Sequence, residues 1–178
     1  MSQNIVPVKL NSHLIPFFYK EFEGEEANYR GVKVKACKIA PESSLGFMIK
    51  TLLQKCEIPV KHSKFYVYIS FNDSTRDCTL YNVESGKNNF LYVPEHLNKK
   101  LNTIFEDLFR LAFQYHTQGM LKNNPELYVR DAIESFMVEY KMDDYGFQLE
   151  SIRKILNRGR KNKLSRLQKK VGNRFLNF

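Results

Sequence analysis

The chain has 178 residues, 43% of them hydrophobic, with 28 Lys and Arg against 19 Asp and Glu and a net charge of +9. This length fits one domain, or one domain with an appendage, built around an ordinary hydrophobic core. The cysteines Cys37, Cys56 and Cys78 form no CxxC pair, which excludes a disulfide framework and a zinc site and favours a reducing compartment. Neither a signal peptide nor an apolar run of about 20 residues is present, so we expect a soluble cytoplasmic protein with no membrane partner.

The N-terminal residues predict a strand followed by a helix. Residues 5–10 are mostly apolar, and Pro7 indicates an edge position because proline cannot donate a ladder hydrogen bond. Apolar side chains then recur at helical spacing over residues 13–23, and Gly24 is a typical helix stop. The polar residues 25–30 predict a loop.

A second strand and helix follow this loop. Residues 32–39 alternate between apolar and polar side chains, which is typical of a strand with one solvated face. Ala40 to Ser44 marks the start of another helix, and its apolar positions continue to about Lys55. The first part of the chain therefore alternates strand and helix.

Three strands are predicted next, over residues 65–71, 79–83 and 90–93. A turn-rich stretch between the second and third favours a small antiparallel meander or hairpin. Tyr66 and Tyr68 give one face of the first strand a row of rings. Such a row stacks single-stranded bases in some proteins, but packing against helices is the interpretation we favour.

From Pro94 onward the pattern is helical. One long helix is expected to end near Gly119, and its apolar stripe is Leu97, Leu101, Ile104, Leu108, Leu111 and Tyr115. A second helix covers residues 126–140, a break follows at residues 142–146, and a third helix covers residues 147–157. The expected fold class is α+β, with a small, mostly antiparallel sheet and helices followed by a helical C-terminal region. We expect a mixed α+β body over residues 1–122 and a helical, basic region over residues 123–178.

The positive charge lies at one end of the chain. The last 28 residues, from Ser151 to Phe178, hold ten Lys and Arg and no acid, whereas the first 150 residues hold 18 basic and 19 acidic side chains. A concentrated run of cations indicates a polyanionic partner, since neighbouring cations repel one another unless an anion meets them. Nucleic acid is the commonest such partner, and an acidic protein, a membrane surface or a solvated tail are the alternatives.

Two consecutive helices, over residues 126–140 and 147–157, make a helix-turn-helix candidate, and the alternative is that they are simply two packed core helices. Gln and Asn can read base edges, as can Arg, whereas Lys and Ser mostly hold phosphates. The expected contact residues are the polar side chains of the second helix and the cations that follow it: Gln148, Ser151, Arg153, Lys154, Asn157, Arg158, Arg160, Lys161, Lys163, Arg166, Lys169, Lys170 and Arg174.

On three stretches the sequence resembles the helix-turn-helix regions of small regulators carried by phages and mobile elements. The matching residues are 132–140, 151–156 and 158–161, and the helix-turn-helix region that contains them covers roughly a fifth of the chain. The resemblance implies a DNA-binding regulator. The break at residues 141–146 departs from the family pattern, because it is longer than the usual turn of about three or four residues.

An enzyme is the main alternative. The four histidines show no metal-binding spacing, and no P-loop or nucleophile-elbow motif is present. The best catalytic candidate is a metal-dependent nuclease site formed by Asp73, Asp77, Glu84 and Lys87, because carboxylates near strand ends can hold Mg²⁺.

The leading hypothesis is a non-catalytic nucleic-acid-binding protein with no cofactor. DNA is the expected partner, RNA is the alternative, and a homodimer is a further hypothesis. A protein-interaction module is the third possibility, because an apolar stripe recurs in the basic end at Leu164, Leu167, Val171 and Phe175.

Overall fold

The computed structural model describes the backbone of residues 4–71 and 90–159, and the side chains of residues 5–71 and 90–155. It has the predicted α+β class. The elements are β1 (Asn4–Lys9), α1 (Leu14–Glu21), β2 (Gly24–Tyr29), β3 (Val32–Lys38), α2 (Ser44–Leu52), β4 (Gln54–Cys56), β5 (Tyr66–Phe71), β6 (Phe90–Tyr92), α3 (Glu95–Asn123), α4 (Val129–Glu139) and α5 (Leu149–Gly159), with a 3-10 helix (Met142–Tyr145) before α5. The chain forms two compact units, Met1–Asn102 and Thr103–Phe178, which divide within α3.

Unit 1 contains a four-stranded sheet in the order β1-β5-β3-β2. Strand β5 pairs antiparallel with β1 and parallel with β3, while β2 and β3 form an antiparallel hairpin. Because β5 has a neighbour on each edge, the meander predicted for it with the next two segments is wrong. Strand β6 instead pairs with β4 in a separate two-stranded sheet, and residues 79–83 lie outside the described residues.

The loop predicted over residues 25–30 is a strand. Strand β2 pairs with β3 over its whole length, and the two-residue turn between them has positive φ at Arg30 (55°) and Gly31 (81°). Turns of this kind match the twist of paired strands. Ala27 and Tyr29 pack into an apolar cluster on the sheet, so two alternating side chains suffice to fix a strand that otherwise looks polar.

The helix predicted to reach Lys55 ends earlier. The hydroxyl of Ser43 caps α2 by accepting the Gly46 N–H at 3.0 Å. The helix then stops at Leu52, and residues 54–56 become strand β4. The backbone of residues 54–56 pairs with β6, and such pairing cannot be predicted from the local spacing of apolar residues.

The buried side of α3 agrees with the predicted stripe at Leu101 but differs from it farther along the helix. Leu101, Phe105, Phe109 and Phe113 are each no more than 1% exposed, whereas Leu108 is 39% and Tyr115 59% exposed. The two stripes are both apolar and both have helical spacing. The phenylalanine stripe is buried because its larger rings remove more apolar surface from water.

Helix α4 begins at Val129, three residues later than predicted, because the backbone N–H of Tyr128 donates to Asp131 Oδ2 at 3.2 Å. Its Phe136 is fully buried, with ring centroids 5.7 Å from Phe109 and 4.7 Å from Phe113. This aromatic contact joins α3 to α4 in unit 2.

We expect Phe109→Ala to lower the free energy of unfolding by about 3–5 kcal/mol, because it leaves a cavity among buried rings. Leu108→Ala, one residue earlier on the exposed side, should cost less than half as much. Urea unfolding followed by circular dichroism measures both values. Equal losses, or a larger loss for Leu108→Ala, would contradict the burial of the phenylalanine side of α3.

The end predicted for α3 near Gly119 is wrong, because the helix passes through this residue to Asn123. A Cβ at Gly119 meets nothing within 4 Å, while a Cβ at Gly46 would lie 2.0 Å from the carbonyl oxygen of Ala40. We therefore expect Gly119→Ala to stabilise the protein by up to about 1 kcal/mol and Gly46→Ala to destabilise it. Thermal unfolding of the two variants tests this, and a change of the same sign in both would contradict it.

Candidate nucleic-acid interface

Helix α5 has one side in the core and one in solvent. Ile152 is fully buried, and Leu149 and Ile155 are half-buried. Gln148, Ser151, Arg153 and Lys154 are all exposed, which is the arrangement expected of them from the sequence. The backbone oxygen of Gln148 accepts the N–H groups of Ser151 and Ile152, so the helix starts directly after Gln148. The apolar side chains thus fix which face of α5 is available to a partner.

The cations on this face of α5 form only weak ion pairs within the protein. Arg153 Nη1 lies 3.2 Å from Glu150 Oε1, and both side chains are more than half exposed. An exposed pair of this kind contributes little, so the guanidinium can exchange Glu150 for a phosphate. No carboxylate within the described ranges pairs with Lys154.

The connection between α4 and α5 is more than a short turn. Helix α4 ends at Glu139, Lys141 adopts a left-handed conformation (φ 50°), the 3-10 helix follows, and Gly146 is again left-handed (φ 77°). Met142 is fully buried and anchors this connection. Burial raises the pKa of the nearby Tyr145 phenol, and the Asp144 carboxylate raises it further. The connection between α4 and α5 is thus anchored in the core and contains a 3-10 helix between two left-handed residues.

Several expected contact residues fall beyond the described side chains. Asn157 and Arg158 belong to the backbone of α5, but their side chains are not described. The remaining expected cations lie outside the described residues: Arg160, Lys161, Lys163, Arg166, Lys169, Lys170 and Arg174. The apolar stripe from Leu164 to Phe175 lies there too.

The ring-bearing face of β5 is packed, as predicted, but the cluster on it consists of strand residues and not of the helices that were expected to cover it. Tyr68 is 2% exposed and Tyr66 is half-buried, and both belong to the cluster that contains Tyr29 and Val34. Burial raises the pKa of the Tyr68 phenol. These rings are therefore engaged with the protein and cannot receive bases.

Catalytic groups are sparse among the described residues. Within them, no group of three or more His, Cys, Asp or Glu lies close enough to hold a metal ion. Burial raises the pKa of Cys37 to about 12, so its thiol is protonated and unreactive at neutral pH. Asp73, Asp77, Glu84 and Lys87, the residues of the predicted nuclease site, lie outside the described residues.

No family model, curated protein or solved structure matches this chain. Among the described residues, no helix is both long and apolar enough to cross a membrane. A function can therefore be inferred only from the residues of this chain.

A substitution at Ile152 tests whether burial of its side chain anchors α5. We expect Ile152→Ala to lower the free energy of unfolding by about 2–5 kcal/mol, since the site cannot collapse fully. Arg153→Ala, on the solvent side of the same turn, should change stability little. Hydrogen exchange of the α5 amides should rise in the first variant only, and similar exchange in both would mean that α5 is not anchored by its apolar stripe.

Proposed function

We propose that this protein binds nucleic acid, and DNA in preference to RNA, through a C-terminal arm comprising residues 148–178. The observation that carries the proposal is the charge distribution: ten Lys and Arg and no acid after Glu150, against a nearly neutral remainder. The arm begins on the exposed face of α5, so its first cations and amides extend from a folded support. A cytoplasmic location and a homodimer remain part of this proposal.

Phosphate contacts would supply most of the affinity. Each cation that meets a phosphate releases a condensed counterion, and the entropy of release drives binding. Gln148 and Arg153 have the chemistry to contact base edges, whereas Ser151 and Lys154 suit the backbone. DNA is favoured because an exposed helix face fits the wide major groove of B-form DNA better than the deep, narrow groove of an RNA duplex.

The test is a salt titration of binding to a fluorescein-labelled DNA duplex, followed by anisotropy. Affinity of the full chain should fall steeply with salt. Replacing the seven cations after Gly159 by Gln should reduce the slope of log K against log salt by about 0.9 for each phosphate that is no longer neutralised. The same-sequence RNA duplex should bind more weakly.

A control outside the arm replaces four exposed cations on α1 and α3, namely Lys20, Lys99, Lys100 and Lys122, by Gln. This variant should retain most of the affinity, since these side chains lie outside the arm. The proposal fails if the seven-site variant binds the duplex with an unchanged slope, or if the control loses as much affinity as the arm variant.

A further inference from the structure

One end of the four-stranded sheet carries a second group of cations, far along the chain from the arm. Strands β3 and β5 are parallel, so both begin at this end, and the β2–β3 turn closes there. Segment 57–65 leads into β5 at the same end. We call Arg30, Lys33, Lys61, Lys64 and Phe65 the basic rim.

Segment 57–65 is held on the sheet by two buried phenols. Tyr29 Oη donates to the carbonyl oxygen of Val60 at 3.0 Å, and Tyr68 Oη lies 2.5 Å from His62 Nδ1. The rings of His62 and Tyr68 are also stacked, with an interplanar angle of 14°. These bonds fix the backbone on both sides of Lys61 and just before Lys64, so the rim cations extend from a defined surface.

The charge at this end is strongly positive. Residues 28–33, which pair with each other across the turn, and residues 57–65 together contain four Lys and Arg, all of them in the rim, and one acid, Glu57. The carboxylates of the β2–β3 hairpin lie towards its other end, where Glu25 pairs with Lys38. Within the described part of the chain, the rim cations pair with no carboxylate. This local excess complements a polyanion.

Aromatic rings accompany these cations. Phe65 is 43% exposed, and Lys64 Nζ lies 5.4 Å from its ring centroid. Arg30 Cζ lies 5.5 Å from the centroid of Phe90. Single-stranded nucleic acids bind to surfaces where a partly exposed ring lies next to cations that pair with no carboxylate. The bases stack on the ring and the phosphates contact the cations.

We propose that the basic rim binds single-stranded nucleic acid, with Phe65 as the stacking ring and Arg30, Lys33, Lys61 and Lys64 as phosphate contacts. A single strand fits better than a duplex, because stacking on Phe65 requires an unpaired base. This contact lies in unit 1 and does not depend on the arm. The protein thereby has two chemically different nucleic-acid surfaces.

The probe is fluorescein-labelled oligo(dT) of about 12 nucleotides, a length within the usual range for one single-strand site. All variants are full-length and carry the seven arm substitutions, so that arm binding does not mask the rim. Phe65→Leu keeps an apolar side chain without a stacking face and should weaken oligo(dT) binding about five-fold or more. Phe65→Trp should retain binding.

Phe47→Leu is the matched control, because Phe47 is a 65% exposed phenylalanine on α2 and is not a rim residue. It should leave oligo(dT) affinity unchanged. Replacing Lys33, Lys61 and Lys64 by Gln should lower both the affinity and its salt slope. Irradiation of a 5-iodouracil oligonucleotide should attach it to Phe65.

The proposal is overturned if Phe65→Leu and Phe47→Leu behave alike, or if the protein binds phosphatidylserine vesicles but not oligo(dT). It is also overturned if duplex DNA competes as well as oligo(dT) in the arm-substituted protein. These results leave the arm untouched, because the arm is tested on duplex DNA through its own seven cations. Failure of one surface is thus separable from failure of the other.

Discussion

Unit 2 depends on the burial of Phe136 among four other rings. Its centroid lies 5.7 Å from Phe109, 4.7 Å from Phe113, 5.4 Å from the His116 ring and 4.3 Å from Tyr140. Edge and tilted contacts of this kind add to the area that each ring buries. Since α4 is fixed to α3 in this way, the connection that follows α4 and the apolar side of α5 have a stable surface to pack on. The orientation of the exposed α5 face is therefore a consequence of aromatic packing one helix earlier.

Periodicity in the sequence predicted most helices and strands but not the side chosen by α3. Two apolar stripes run along that helix, and their spacing alone does not indicate which of them is buried. The phenylalanine stripe is the buried one because it contacts Phe136 of α4. Strands β2 and β4 were missed for a related reason, since both depend on pairing with another segment, and the two apolar residues of β2, Ala27 and Tyr29, are too few to predict a strand from spacing alone. The exposed residues of α5 were predictable because Ile152 and its neighbours leave only one side for polar groups.

A count of charged residues along the sequence identifies the arm but does not identify the basic rim. The first 150 residues are nearly neutral in sum, yet their carboxylates and cations are sorted by the topology of the sheet. Arg30 and Lys64 are far apart in sequence and reach the same end only because β3 and β5 are parallel. Local electrostatics of this type follows from strand order, which neither composition nor spacing specifies. The arm needs no such information, since its cations lie close together in the sequence.

The pairing of β1 with β5 also bears on how the protein is made. Lys9, the last residue of β1, lies opposite Tyr66, so the first strand has no partner until nearly sixty further residues have been synthesised. Chains grow at about 5–20 residues per second during synthesis. The apolar segment of β1 therefore has no backbone partner in the sheet for some seconds. The α1 helix and the β2–β3 hairpin can form during that interval from local contacts, whereas the sheet closes only when β5 inserts between β1 and β3. Strand β5 is thus the last of the four strands to be synthesised, and its emergence sets the moment at which the four-stranded sheet of unit 1 can close.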